Sequence, residues 1–245
     1  MTINLPMTIM HPAGSSVSYK TPIFYLKMEE GSGLTAFDTS DTGNSHDASL
    51  VGTPAWTATS GLTSPPTVFG DYVLDFDGSS DYLTQTPFEF GGACSFSFWT
   101  NLDAITGQDF FFMFQDYNNR WVYCSTNGND LLWVTRAYAS SLTVSSALST
   151  GTDYHIVCTV SSGGTLKVYI NNVLSGTLLP GGGGLPPEVH TRGTHYIGDS
   201  SQFSGNRING IMDEFSMWDI ELSADDVSAL FNGGDGADAN TTILL

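Results

Sequence analysis

The run of residues 208–232 constrains this chain more than any other, because it reads as a strand passing straight into a short capped helix. Ile211, Phe215 and Met217 recur at period two and predict one apolar strand face, and the same period places Asp213 on that face. An ionised carboxylate there needs a cation or several hydrogen-bond donors. Ser223 followed three residues later by Asp226 has the spacing of a capping box, Val227, Leu230 and Phe231 make an apolar stripe, and Gly233 supplies a stop. The segment is therefore expected to close the fold by docking a helix back on a sheet.

The rest of the chain supplies the sheet. Strands are expected over residues 23–28, 72–77, 81–86, 94–100, 110–115, 121–124, 131–136, 142–144, 154–160, 165–170, 173–178, 195–198 and 208–218, each rich in β-branched or aromatic residues and bounded by turn formers. Cys94, Phe96 and Phe98 alternate with Ser95, Ser97 and Trp99, the pattern of a half-buried strand, whereas the unbroken apolar run 110–115 predicts burial on both sides. Leu166, Val168 and Ile170 are expected to face the core, with Lys167 and Tyr169 facing out and an Asn171–Asn172 turn after them. The Gly181–Gly184 run between prolines lacks the Gly-Lys-Ser/Thr ending of a phosphate loop and reads as a flexible connection. About a dozen short strands in 245 residues point to an all-β fold, a two-sheet antiparallel sandwich with one short C-terminal helix. Residues 1–21 read as an N-terminal arm, 22–233 as the domain and 234–245 as a tail.

Charge narrows the partners. Seven basic against twenty-five acidic residues give a formal charge of −18, which repels phosphate backbones and anionic membrane surfaces, so neither nucleic acid nor membrane insertion is expected. The three cysteines, Cys94, Cys124 and Cys158, lie inside expected strands, and an odd count closes no disulfide framework; they read as buried thiols. The first residues carry no basic, apolar secretory pattern, and no span has the length of a membrane helix.

An ordered set of segments carries a resemblance. Tyr25-Leu-Lys-Met-Glu-Glu-Gly-Ser-Gly33, Phe37-Asp-Thr-Ser-Asp-Thr-Gly-Asn-Ser-His-Asp-Ala48, Leu74-Asp-Phe-Asp-Gly-Ser-Ser-Asp-Tyr-Leu83, Phe96-Ser-Phe-Trp99, Tyr154-His-Ile-Val157, Leu166-Lys-Val-Tyr-Ile170, Ile197-Gly198, and Asp213-Glu214 followed by Leu222-Ser223 stand in family order. Over residues 22–233 the chain resembles the laminin-G-like and concanavalin A-like jelly-roll domains, in their pentraxin-related bacterial and viral branch. The resemblance implies two stacked antiparallel sheets that bind carbohydrate or protein, often with calcium.

Two candidate sites follow. The loop 38–47 concentrates oxygen ligands around a glycine, as a hard cation requires, though its spacing is not that of an EF-hand. In sandwiches resembling this one such a loop approaches the Asp of the Asp-Glu pair, so Asp38, Asp41, Asn44, Asp47, Asp213 and Glu30 are the expected ligands of one structural Ca2+. The competing account gives Asp38 and Asp41 to Asx turns and Asp213 to backbone N–H groups. For a sugar, rings with planar polar neighbours are needed. Arg120, Trp121, Tyr123, Trp133, Arg136 and Tyr138 lie on neighbouring strands and are the expected ligand-binding set, with core packing of Trp121 and Trp133 as the alternative.

Catalysis is not expected. The chain has no Glu-x-Asp-x-Glu cluster for glycoside hydrolysis, and its five histidines have no metal-ligand spacing. His155 and His195 are the candidate bases for lyase chemistry, with a solvent-facing imidazole the expectation for His155. The leading expectation is a recognition or assembly protein on a virion surface, in a phage capsid, fibre or tail, with other virion proteins, further copies of itself or a cell-surface glycan as partners. A stand-alone carbohydrate-binding lectin and a polysaccharide hydrolase or lyase are the rival readings.

Overall fold

A computed structural model describes residues 20–40, 42–43, 45–59, 70–116, 120–136, 140–200 and 206–232. Two antiparallel sheets form in it. The first runs β15 (Val173–Leu178), β14 (Leu166–Ile170), β13 (Asp153–Val160), β8 (Cys94–Ala104), β18 (Asn209–Trp218), β5 (Tyr72–Asp77) and β4 (Ala55–Ala58), with β1 (Phe24–Leu26) pairing on β18 beyond the reach of β5. The second runs β12 (Ser140–Val144), β11 (Asp130–Arg136), β10 (Val122–Asn127), β9 (Phe110–Gln115), β17 (Thr194–Ile197), β6 (Tyr82–Gln85), β3 (Ala48–Val51) and β2 (Thr35–Ala36). A small ribbon pairs β7 (Glu89–Phe90) with β16 (His190–Thr191).

The core lies between the sheets and is strongly aromatic. Phe96 of β8 stacks on Phe112 of β9 at 4.5 Å, and Phe215 of β18 stacks on Phe98 at 5.9 Å and on Phe24 at 5.7 Å. Leu166 and Val168 face this core as expected, with Ile170 packed against it. The three cysteines are free and buried; burial pushes the Cys94 thiol up to about 12, which makes it an unreactive apolar group. At the Asn171–Asn172 turn both residues take positive φ, 48° and 63°, the conformation that matches the twist of a two-residue hairpin.

Over β8, β13, β14 and β18 the outer face of the first sheet is covered rather than solvated. Helix α1 (Ala224–Phe231) begins at a capping box in which the Ser223 N–H donates to Asp226 Oδ2 at 2.7 Å and the Asp226 N–H donates to Ser223 Oγ at 3.2 Å. Val227 packs with Val157, Tyr169, Trp218 and Leu222, while Phe231 stacks on Trp99 at 5.6 Å. Ser95 Oγ donates to the Ile220 carbonyl at 2.8 Å and accepts from the Leu222 N–H at 2.9 Å, tying the approach to the helix on β8.

This cover corrects two expectations. Strand β8 is buried on both faces over Cys94–Thr100 rather than half-buried, and His155 is 2% exposed rather than solvent-facing, its ring 4.8 Å from Trp99 and its Nε2 2.9 Å from Ser97 Oγ. The helix stripe was legible; which polar residues it would cover was not. Lys20 belongs to the same dock, since its Nζ lies 3.0 Å from Asp226 Oδ2 and its carbonyl accepts from Trp218 Nε1 at 2.6 Å. Most of the expected arm (1–19) and the tail lie outside the described residues, as does Gly233.

The glycine-rich connection is also more ordered than expected. Pro180–Gly182 forms a single 3-10 turn, and Gly184 packs so closely that a Cβ there meets the Gly164 carbonyl oxygen at 2.2 Å. From that contact the chain runs through Leu185, Pro186 and Pro187 to the β16 ribbon, which sets the position of a charged surface.

Candidate functional site

Strand β18 carries Asp213, but not on the face that its period predicts. A β-bulge between Asp213 and Ser216, with Glu214 at φ 54°, inserts one residue and resets the alternation. Met212, Phe215 and Met217 therefore enter the core, while Ile211 lies outside that cluster and Asp213 points to the outer side. Asp213 is nonetheless fully buried, and neither of its carboxylate oxygens has a hydrogen-bond partner.

Two further carboxylates face it from the segment after β1. Glu29 Oε2 accepts the N–H groups of Asp71 and Tyr72 at 2.7 and 3.2 Å, and Glu30 Oε1 accepts the Phe37 N–H at 2.7 Å. The other oxygen of each, Glu29 Oε1 and Glu30 Oε2, is buried without a partner. Each glutamate is thus anchored through one oxygen and presents the other. Burial first, then the charge of Glu29, hold the Asp213 carboxyl well above the usual carboxylate range; the Glu214 N–H pulls the other way and the Glu30 charge adds to the rise.

The expected loop ligands are used differently. Asp38 Oδ1 accepts from the N–H groups of Tyr25 and Ser40 at 3.0 and 2.9 Å, Asp38 Oδ2 accepts from His46 N–H at 3.0 Å, and Asp47 Oδ1 accepts from Asp38 N–H at 2.8 Å. Both oxygens of Asp38 are thereby engaged in stapling loop 38–47 to β1, the Asx-turn role. Asp41 and Asn44 lie outside the described residues. Asp213 and Glu30 are brought together, and Glu29, which sequence reasoning passed over, joins them; its place beside Glu30 in the chain was the available signal. Among the described residues no three acidic, histidine or cysteine groups already stand at ligand spacing.

The second site gathers at one end of the β10–β11 hairpin. Arg120 and Trp121 lead into β10 and Arg136 ends the antiparallel β11, so all three meet there. Arg120 Nε and Arg136 Nη1 both contact Glu188, at 2.9 Å to Oε2 and 3.2 Å to Oε1 respectively. Asp116 Oδ2 backs the cluster, 3.2 Å from Arg120 Nη1 and 2.8 Å from His190 Nε2. Trp121 is nearly buried, donates its Nε1–H to the Asp116 carbonyl at 3.3 Å and packs with Phe110, Met113 and half-buried Tyr123.

Trp133 does not belong to this surface. It is fully buried in the core, its Nε1–H donating to the Thr159 carbonyl at 3.1 Å, because its face of β11 is the inner one. Tyr138 lies outside the described residues.

Arg192, which no sequence signal marked, holds the cluster from beneath. Its side chain is fully buried, donates to the carbonyls of Arg120, Phe90, His190 and Glu188 at 2.8, 3.0, 3.3 and 3.0 Å, and lies 4.2 Å from the Phe90 ring centre. Burial pushes its pKa down to about 10, so the guanidinium remains charged at neutral pH. Beside it His195 stacks on Phe114 at 4.3 Å with both ring nitrogens unpartnered.

These buried histidines give the fold an acid limit. Burial holds His155 and His195 at about 3, with the Arg192 and His46 charges adding to the effect on His195. The unfolded chain takes up these protons near 6.5, so stability is complete above that pH and falls on acidification towards 3, by about 1.4 kcal/mol per pH unit for each histidine. Asp213 acts with the opposite sign, because its raised carboxyl favours the folded state at low pH. Urea unfolding of the wild type and of His155→Leu/His195→Leu at pH 7.5 and 5.0 separates the two: the wild type loses more stability than the variant, and equal losses refute the assignment.

The sequence profile of the concanavalin A-like lectin/glucanases superfamily matches residues 77–228. The chain belongs to that superfamily. Among solved structures, this superfamily member is similar to domain 4 of an extracellular arabinanase from Geobacillus stearothermophilus, in complex with arabinotriose, with a TM-score of 0.65 and 16% identity over 89% of this chain and 98% of that one. It is also similar to the binding domain of botulinum neurotoxin serotype D, with a TM-score of 0.62 and 16% identity over 87% of this chain, and it spans only 52% of that chain. Identities this low show a shared fold. No curated protein matches the sequence. Among the described residues of this superfamily member, no helix is long and apolar enough to cross a membrane.

Proposed function

We propose that this chain is a non-catalytic recognition module that binds carbohydrate on the surface made by Arg120, Trp121, Tyr123 and Arg136, on a sandwich tightened by calcium. The observation that carries the recognition reading is the meeting of two forked donors at one end of the β10–β11 hairpin that also carries the half-buried Tyr123 ring, seated on buried Trp121. Planar guanidinium groups match sugar hydroxyls and carboxylates, and ring faces take the apolar side of a pyranose. The arabinotriose bound to the arabinanase domain agrees with this use of the fold. A glycan array followed by calorimetry tests it: Arg120→Ala/Arg136→Ala weakens binding of a captured glycan at least tenfold, and unaltered affinity removes the site from the proposal. Release of reducing or unsaturated sugar on incubation with polysaccharides overturns the non-catalytic part.

Calcium fits the Asp213 cluster by its chemistry. A hard cation takes carboxylate oxygens, and Asp213, Glu29 and Glu30 hold four buried oxygens with no donor. Bound calcium supplies the positive charge that lets Asp213 remain ionised in a buried place. The acidic exterior and three unpaired thiols suit a protein that folds in a reducing cytosol and then serves on a virion surface. Capsid or tail genes beside its own support that setting, and a polysaccharide-utilisation locus there overturns it.

A further inference from the structure

Glu188 occupies a place that a ligand's carboxylate fits. Its two oxygens are divided between two guanidinium groups, Oε2 to Arg120 Nε at 2.9 Å and Oε1 to Arg136 Nη1 at 3.2 Å, so one carboxylate is gripped from both sides. Three of the four arginines of a chain with charge −18 converge on this one segment. A lone surface ion pair needs one arginine; here two face outward and the third braces them.

Neither the arginines nor the backbone depend on the Glu188 side chain. Arg120 is held by Asp116 at 3.2 Å, and Arg136 Nε donates to the Pro186 carbonyl at 2.9 Å. The segment itself is fixed by Leu185 N–H on Ser140 Oγ at 3.0 Å, by Gly92 N–H on the Pro187 carbonyl at 2.8 Å, and by Arg192 Nη2 on the Glu188 carbonyl at 3.0 Å. The Glu188 side chain, 46% exposed, is free to swing into water and leave a preformed two-arginine clamp behind. An exposed pair of this kind adds little to stability, so displacing it costs little.

We propose that Glu188 is an internal stand-in for the carboxylate of an acidic sugar, and that Arg120 and Arg136 clamp a uronate or sialate unit of the glycan. This rests on the carbohydrate-recognition reading above. Glu188 competes from within the same chain, at an effective concentration that keeps weak carboxylates out, while the half-buried Tyr123 ring on the same hairpin favours a carboxylate carried on a sugar.

The test uses Glu188→Gln, which keeps the shape and removes the charge, with trigalacturonate and 3′-sialyllactose as acidic probes and maltotriose and lactose as neutral ones, in 0.15 M salt. Glu188→Gln binds an acidic probe roughly two- to fivefold tighter than the wild type, the neutral probes are unaffected, and adding Arg136→Ala abolishes the gain. Which acidic probe gains tells a uronate chain from a terminal sialate. Equal or weaker acidic binding by Glu188→Gln overturns the proposal, as does an equal gain for the neutral probes. If the neutral probes bind and Arg120→Ala weakens them while Glu188→Gln changes nothing, only the stand-in role falls; if no glycan binds any variant, the recognition reading falls with it.

Discussion

Replacing Arg192 with leucine lowers the stability of the chain by about 3–5 kcal/mol, a fall in Tm of roughly 6–20 °C for a domain of this size. The arginine is fully buried and solvates four backbone carbonyls, those of Arg120, Phe90, His190 and Glu188. Leucine removes these donors, and the bond to Phe90 is itself buried. Arg192→Lys recovers only part of the loss, since a single ammonium cannot span acceptors on both β7 and the approach to β10. Thermal and urea unfolding measure both, and a leucine variant within 1 kcal/mol of the wild type sinks the bracing role. The same substitution loosens Glu188 and Arg120 together, so glycan affinity is expected to drop even where the fold survives.

The second large effect is expected at the proposed calcium site around Asp213. At a calcium concentration a hundredfold above its Kd, the folded state gains about 2.7 kcal/mol, and a chelator removes it. Asp213→Asn abolishes that response, yet in chelator it is more stable than the wild type. The sign follows from the raised carboxyl: a group whose folded pKa lies above its unfolded value stabilises at low pH, and that contribution is lost as pH rises through the folded value. At neutral pH the metal-free wild type therefore carries an unpaired buried charge, or the cost of protonating it, which an amide avoids. A midpoint unmoved by calcium or chelator refutes the cation site. Asp38→Asn separates the loop from the site: it weakens the stapling of residues 38–47 and lowers stability with and without calcium alike, because its acceptors serve backbone N–H groups.

Much of the sheet was legible because period-two patterning survives wherever one face meets the core. Strands β5, β9 and β15 have the bounds that their patterns predict, and the capped helix begins one residue after Ser223 as its box requires. Strands β2, β3, β4, β7 and β16 were missed: two to four residues long, they carry too few side chains for a period to show. Of the residues expected to bind sugar, Arg120, Trp121, Tyr123 and Arg136 lie at one hairpin end, as neighbouring strands require. Trp133 turned inward because parity along a strand decides the face, and its neighbours Leu132 and Val134 gave no polar contrast to reveal which parity held.

Local chemistry in the sequence determined the longer strands, the capping box, the inert thiols and the superfamily, since each depends on residues close together in the chain or on their order. Tertiary structure alone decided the rest. The bulge at Glu214 turned Asp213 to the outer side, long-range packing set Glu29 and Glu30 against it, and the fold brought Arg192 under a cluster drawn from residues 116–136 and 188–190. A buried charge is stabilised by whatever surrounds it in space, and those surroundings come from segments far apart in the chain.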